Sequence, residues 1–227
     1  QIVNTVVYVR TYLGLDDTWV AIALAAAGTG SMIAALLMPR ALQKVSERPL
    51  MLFGGGVMAA AVLLGTFLPD IAGLMMLWFL IGFGSSLVQT PVGRLLIRSC
   101  QESDRPAVFA AQFSLSHACW LVAYPLAGWV GANLDLAAAF GVMGAIALFS
   151  AAVSWILWPV KEPESLEHTH EPLDHSHLHC HDAHHQHEHE GWEGPEPHSH
   201  RHHHVSLRHR HRLVIDEHHP YWPARER

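Results

Sequence analysis

The chain has 227 residues, 50% of them hydrophobic and only 15% charged, with 20 histidines against 14 lysines and arginines; an ordinary soluble domain carries about 25% charged residues. The two ends differ. Residues 1–160 hold seven basic and seven acidic side chains, whereas 161–227 hold seven basic, thirteen acidic and nineteen of the histidines, so the net charge of −6 (7 − 13) belongs to the second segment. The first segment is too apolar to solvate as a soluble core, and the second too polar to build one.

In chain order, the first element is the apolar run Ile2–Val9, extended to a span of about 1–13. It is too short to cross a bilayer alone and is read as the last turns of a helix that starts upstream. The sequence begins without Met and is expected to be a C-terminal fragment. A secretory leader is not expected, because no basic start precedes the run and no small-residue cleavage site follows it.

Five charge-free windows follow: 18–39 (22 residues), 49–69 (21), 71–93 (23), 106–134 (29) and 136–160 (25). Each exceeds the roughly 20 residues that cross ~30 Å of hydrocarbon. They predict membrane spans at about 18–38, 50–68, 71–93, 108–130 and 136–158, and an all-α integral membrane protein. Asp16-Asp17 and Asp135 stand where helix N-caps belong, placing carboxylates at positive helix ends.

The connections alternate in charge. Segments 39–48 and 94–105 carry Arg40, Lys44, Arg48, Arg94, Arg98 and Arg105, while the opposite ends carry Asp16, Asp17, Asp70 and Asp135. The positive-inside rule puts the basic loops and the C-terminal tail in the cytoplasm, and the protein in the cell (inner) membrane as a multi-pass protein. Trp19, Trp129, Trp155 and Trp158 fall near span ends, where amphipathic rings favour the interface. Small residues crowd the spans, among them Gly28, Gly30, Gly54, Gly82 and Gly84, and predict close helix approach. Pro91 and Pro125 predict broken or bent helices.

This pattern resembles the C-terminal half of a major facilitator superfamily transporter, from the end of helix seven through helix twelve, over residues 1–160. The family's loop signature, Gly-x-x-x-Asp-Arg-x-Gly-x-Arg, falls on Pro39-Arg40-Ala41-Leu42-Gln43-Lys44-Val45-Ser46-Glu47-Arg48. Its basic positions are kept as Lys44 and Arg48, which become the gating-loop candidates, while Gln43 replaces Asp and Pro39 and Ser46 replace Gly. Asp104-Arg105, followed by Tyr124-Pro125-Leu126-Ala127-Gly128, is similar to helix eleven of drug and metal exporters. The resemblance implies a six-helix half-bundle with its first helix truncated. It also implies a partner N-terminal bundle of the same protein and alternating access around a central cavity.

Few polar groups lie deep in the spans. His117 stands about ten residues into the fifth, ~15 Å from its end at 1.5 Å per residue, and an intramembrane ionisable residue is a functional hypothesis by default. It is read either as a proton relay, as a metal ligand near Cys119, or as a neutral histidine bonded to a neighbouring helix. Gln112, Gln89 and Asn4 join it as transport-path candidates, with interhelical hydrogen bonding as their plainer role. Arg94 and Arg98 are expected to snorkel to headgroups.

The tail 161–227 has no hydrophobic period and is expected to be disordered. Its metal-ligand candidates are His175, His177, His179, Cys180, His181, His184, His185, His187, His189, His198, His200, His202, His203 and His204. Neutral imidazoles suit Ni, Co, Zn or Cu ions, as ligand or substrate, with no fixed cofactor. Redundant ligands suit a collector better than one closed site. As a flexible coil of 67 residues it would reach about 45 Å. Similar His-rich tails on nickel-resistance exporters of the superfamily imply the same role here.

Three functions follow as expectations. The first is proton-coupled efflux of nickel or cobalt with the tail as collector or sensor. The second is an organic-solute or drug transporter with a metal-buffering tail, and the third a membrane-anchored metal binder without transport. The lipid bilayer, metal ions and protons are the expected partners. With no nucleophile triad, phosphate loop or basic nucleic-acid patch, neither an enzyme nor a nucleic-acid partner is expected.

Overall fold

The computed structural model describes residues 3–158, 166–170, 173–179, 198–204 and 207–211. The chain divides into two units, Gln1–Val160 and Lys161–Arg227, and each is taken by itself.

The first unit starts with one helical turn, α1 (Thr5–Val7), that widens into a π-helical turn, Tyr8–Tyr12. The widening turns both Tyr8 and Val9 inward, each fully buried. Tyr8 Oη donates to the carbonyl of Pro69 at 2.7 Å, and the buried Trp78 Nε1 donates to Thr5 Oγ1 at 3.1 Å. Both rings meet Phe140 edge-on, with centroids 5.9 and 6.0 Å away. A segment too short to be a stable helix alone is thus held by tertiary contacts. Gly14, at φ +69°, turns the chain out of it.

The long helices are α2 (Asp17–Ala41), α3 (Glu47–Leu64), α4 (Ile71–Gln89), α6 (Arg105–Asn133) and α7 (Leu136–Leu157), with the short α5 (Val92–Arg98) following α4. Together with their flanking turns they give five segments of 21 to 32 residues that are long and apolar enough to cross a membrane. Three aspartates start helices as N-caps. Asp16 accepts from the Thr18 amide at 2.9 Å, Asp70 from Gly73 at 2.9 Å and Asp135 from Ala138 at 2.6 Å. Pro91, which has no N–H, stands between α4 and α5 and ends the ladder there. Pro125, by contrast, lies inside an uninterrupted α6.

Helix α4 is the centre of the unit, with α2 on one side and α3 on another, and α7 packs on α3 and α6. Glycine makes the first of these contacts possible. A Cβ on Gly82 would fall on the Ala27 carbonyl, and one on Gly30 on the Phe79 carbonyl, so α2 and α4 touch backbone to backbone. The deepest residues, Trp78, Tyr8, Leu74 and Ala23, sit where α1, α2 and α4 meet. Among the long helices α6 is the least enclosed, with Val130 its one buried residue. Outward Leu36, Phe53, Leu121 and Ile156, all well exposed, are what a lipid-facing surface requires.

The second unit differs from the disorder expected of it at four segments. β1 (Leu166–His170) pairs antiparallel with β4 (Leu207–His211), and β2 (Leu173–His179) with β3 (His198–His204). Both ladders share one register, since every pair sums to 377, from Leu166 with His211 to His179 with His198. The composition marks where the strands end. Pro172 falls between β1 and β2, no Gly or Pro falls within the four strands, and Gly191, Gly194, Pro195 and Pro197 are gathered between β2 and β3.

Candidate functional site

The most organised polar cluster of the first unit lies where the basic loops meet. Ser46 enters α3 in extended conformation, so that Glu47 and Arg48 are the first two helical residues and diverge to opposite neighbours. The Glu47 side chain is 2% exposed. Its Oε1 lies 2.9 Å from Arg94 Nε and its Oε2 3.4 Å from Arg98 Nη1. Arg94 and Arg98 are four residues apart on α5, one above the other, and so reach the same carboxylate.

Arg48 turns the other way. Its Nε donates to the Trp158 carbonyl at 3.0 Å and its Nη2 to the Trp155 carbonyl at 3.1 Å, and its guanidinium sits 5.3 Å from the Trp155 ring centroid. These are the carbonyls that a helix C-terminus leaves without intrahelical donors, at its negative end. Two adjacent residues therefore tie the start of α3 to α5 and to the end of α7. Charge on this face thus fastens three helices together.

This arrangement sorts the expected residues. Arg48 is engaged, while Lys44 is an exposed loop residue outside the cluster. Arg94 and Arg98 do not simply snorkel, because a buried carboxylate offers them a better partner than headgroups. Glu47 was not singled out from sequence, although it is the one acid in 39–48 and faces two arginines at helical spacing. Arg10, counted inside the first span, is paired with Asp17 at 3.3 Å and belongs with the aspartate-bearing ends.

The transport-path candidates are spread over three elements. Asn4 Nδ2 donates to the Ala127 carbonyl at 3.1 Å and fastens the first segment to α6, and Gln89 Nε2 donates to Ser85 Oγ at 2.6 Å within α4. Gln112 Nε2 donates to Ser116 Oγ at 3.0 Å on α6. His117 is exposed, and its Nδ1 lies 2.8 Å from the Phe113 carbonyl. A carbonyl only accepts, so Nδ1 carries the hydrogen, and Nε2 is the acceptor of the neutral ring.

His117 belongs to a row. Its ring centroid is 3.8 Å from that of Phe113 and 4.6 Å from that of Trp120, which in turn lies 6.2 Å from the Tyr124 ring. Spacings of four, three and four residues put Phe113, His117, Trp120 and Tyr124 on one face of α6, each at least partly open to the outside. Cys119, also exposed, lies two positions from His117 and so on another face. Among the described side chains, no three His, Cys, Asp or Glu residues gather as metal ligands.

In the second unit His175, His177 and His179 lie on β2, and His198, His200, His202, His203 and His204 on β3. Cys180, His181, His184, His185, His187 and His189 lie outside the described residues. Among comparisons with known proteins, the family model described as Major Facilitator Superfamily matches residues 1–213. None of the curated proteins compared matches the chain.

Proposed function

Because the chain belongs to the Major Facilitator Superfamily, and so is a multi-pass transmembrane transporter, we propose that it exports a divalent transition metal, nickel or cobalt. Protons drive the export, and the His-rich segment acts as collector or sensor on the cytoplasmic side of the cell membrane. The observation that carries this reading is the segregation of nineteen histidines into residues 161–227, after a formally neutral membrane segment whose loop arginines lie at alternate span ends. Imidazole is a ligand for Ni²⁺, Co²⁺, Zn²⁺ and Cu²⁺, and metallation displaces protons, so capture and proton traffic are chemically linked. The helices work with a second bundle of the same protein around a midplane cavity, as the superfamily's alternating access requires. Gln112, His117, Gln89 and Asn4 are the candidates to line the path.

The test compares metal content in cells carrying the complete transporter, the transporter without 161–227, and no transporter. Lower nickel and cobalt in the first than in the third supports export. Equal accumulation in all three defeats it.

One observation favours a second reading, an organic-solute or drug transporter whose tail buffers metal. The row Phe113–His117–Trp120–Tyr124 is an aromatic platform suited to a flat or cationic organic molecule. Efflux of an aromatic cation that needs Trp120 and survives removal of 161–227 would support that reading over metal export.

A further inference from the structure

Resting on the reading of the tail as a metal binder, we propose that its ions are held across a β-ribbon by directly opposed histidine pairs rather than by a coil of interchangeable ligands. The register of β2 and β3 sets His175 opposite His202, His177 opposite His200 and His179 opposite His198. Successive residues of a strand alternate between faces, and directly opposed residues share one. The three pairs therefore lie on a single face, joined by His204 opposite Leu173. The intervening pairs, Asp174–His203, Ser176–Arg201 and Leu178–Ser199, occupy the other face with one histidine among them.

Directly opposed positions have Cβ atoms about 4.5–5.5 Å apart, and neighbouring positions along one face of a strand are separated by about 6.8 Å. A rung is thus the closer spacing of two histidine positions. Two neighbouring rungs, His175–His202 and His177–His200, place four imidazole-bearing positions on one face. That is the nitrogen set suited to the tetragonal geometry of Ni²⁺ or Cu²⁺. The sequence carries the same logic on both strands, His-x-His-x-His over 175–179 and over 198–202. Only antiparallel pairing at this register turns two such runs into rungs. A shift by one residue leaves at most one opposed histidine pair, His175 with His203, in place of three.

The test keeps the histidine count fixed and moves one residue. In the full chain, purified in detergent and titrated with Ni²⁺ by calorimetry, the double substitution Ser176→His with His177→Ser transfers one histidine to the other face. The ribbon predicts about tenfold weaker binding at the tightest site, because a clamped second ligand acts at high effective concentration. Adding His200→Arg with Arg201→His restores a directly opposed pair on the other face and should recover part of the loss. Unchanged affinity in the first variant, with the parent binding normally, overturns the ribbon and leaves the collector. Absence of Ni²⁺ binding by the parent overturns both. A second check is the pair His177→Ala and His200→Ala, whose effects should be strongly non-additive, whereas His177→Ala and His203→Ala should add. Additivity in both cycles would also overturn the proposal.

Discussion

Glu47 owes its position to two arginines that meet it from a single short helix. A carboxylate taken out of water is costly unless charge and hydrogen bonds replace the lost hydration, and here Arg94 and Arg98 supply the charge while Arg98 Nη1 donates to Oε2. Glu47→Gln keeps the shape and removes the charge, leaving two guanidinium groups beside a neutral amide. Removing one partner of a fully buried pair costs about 3–5 kcal/mol, but the Arg94 side chain is 46% exposed, so solvent screens part of the interaction and a cost of about 2 kcal/mol is expected. Thermal unfolding in detergent should show it as a lowered Tm. The same experiment ranks the arginines. Arg98, with a side chain 14% exposed, should cost more on substitution by glutamine than Arg94 does. An Arg94→Gln variant less stable than Arg98→Gln would mean that the shorter contact outweighs burial. Arg48 gives a contrasting case, since its partners are backbone carbonyls and a ring face. Lysine there cannot reproduce the two-nitrogen fork, and Arg48→Lys should lower Tm although the charge is kept.

At the scale of elements, the contact between α2 and α4 is set by the absence of side chains. A methyl group on Gly82 would meet the Ala27 carbonyl oxygen and carbon, which are backbone atoms of a helix and cannot step aside. Gly82→Ala should therefore separate α2 from α4, at a cost of about 1–3 kcal/mol or more. Gly28 and Gly56 have nothing within 4 Å of such a methyl. Alanine at either should be neutral or should stabilise its helix by up to about 1 kcal/mol. Size-exclusion profiles and Tm of the three variants separate close approach from a general need for glycine.

The positions of α2, α3, α4, α6 and α7 were legible in the sequence because charge is costly in hydrocarbon, so charge-free windows and helix caps mark the ends, whereas α5 fell in a stretch read as a basic loop. Which glycines face a neighbour was not legible, because Gly28 and Gly30 look alike until a partner backbone is present. Glu47 was hidden for a related reason. A charge in a basic loop reads as solvated unless α5 is known to fold back over it. In the tail, Pro172 and the cluster from Gly191 to Pro197 were visible breakers. The register that opposes His177 to His200 is a relation between residues far apart in sequence, and a polar strand gives no hydrophobic pattern from which to read it.

For the molecule as a whole, the two segments answer to different variables, and one experiment on each tells them apart. The interactions named above that hold α1 to α7 together all lie within residues 3–158. Removing 161–227 is therefore expected to leave the Tm of the helices unchanged while abolishing high-affinity metal binding. The remaining lever is pH. An imidazole must be neutral to bind a metal, and its reference pKa is near 6.5. If all nineteen tail histidines are protonated, the formal charge of 161–227 moves from −6 to +13 (−6 + 19). As pH falls, protons compete for the nitrogen lone pairs, and seven histidine positions on one ribbon face come to carry like charge. Nickel bound per chain should thus be high at pH 7.5 and fall steeply toward pH 5.5, and binding near pH 6.5 should release protons, measurable as a dependence of calorimetric heat on the buffer's ionisation enthalpy. Binding that stayed constant from pH 7.5 to 5.5 would point to carboxylates as the ligands, because Asp and Glu remain largely ionised across that range. The collector proposed above would then hold metal at neutral pH and yield it where protons are delivered.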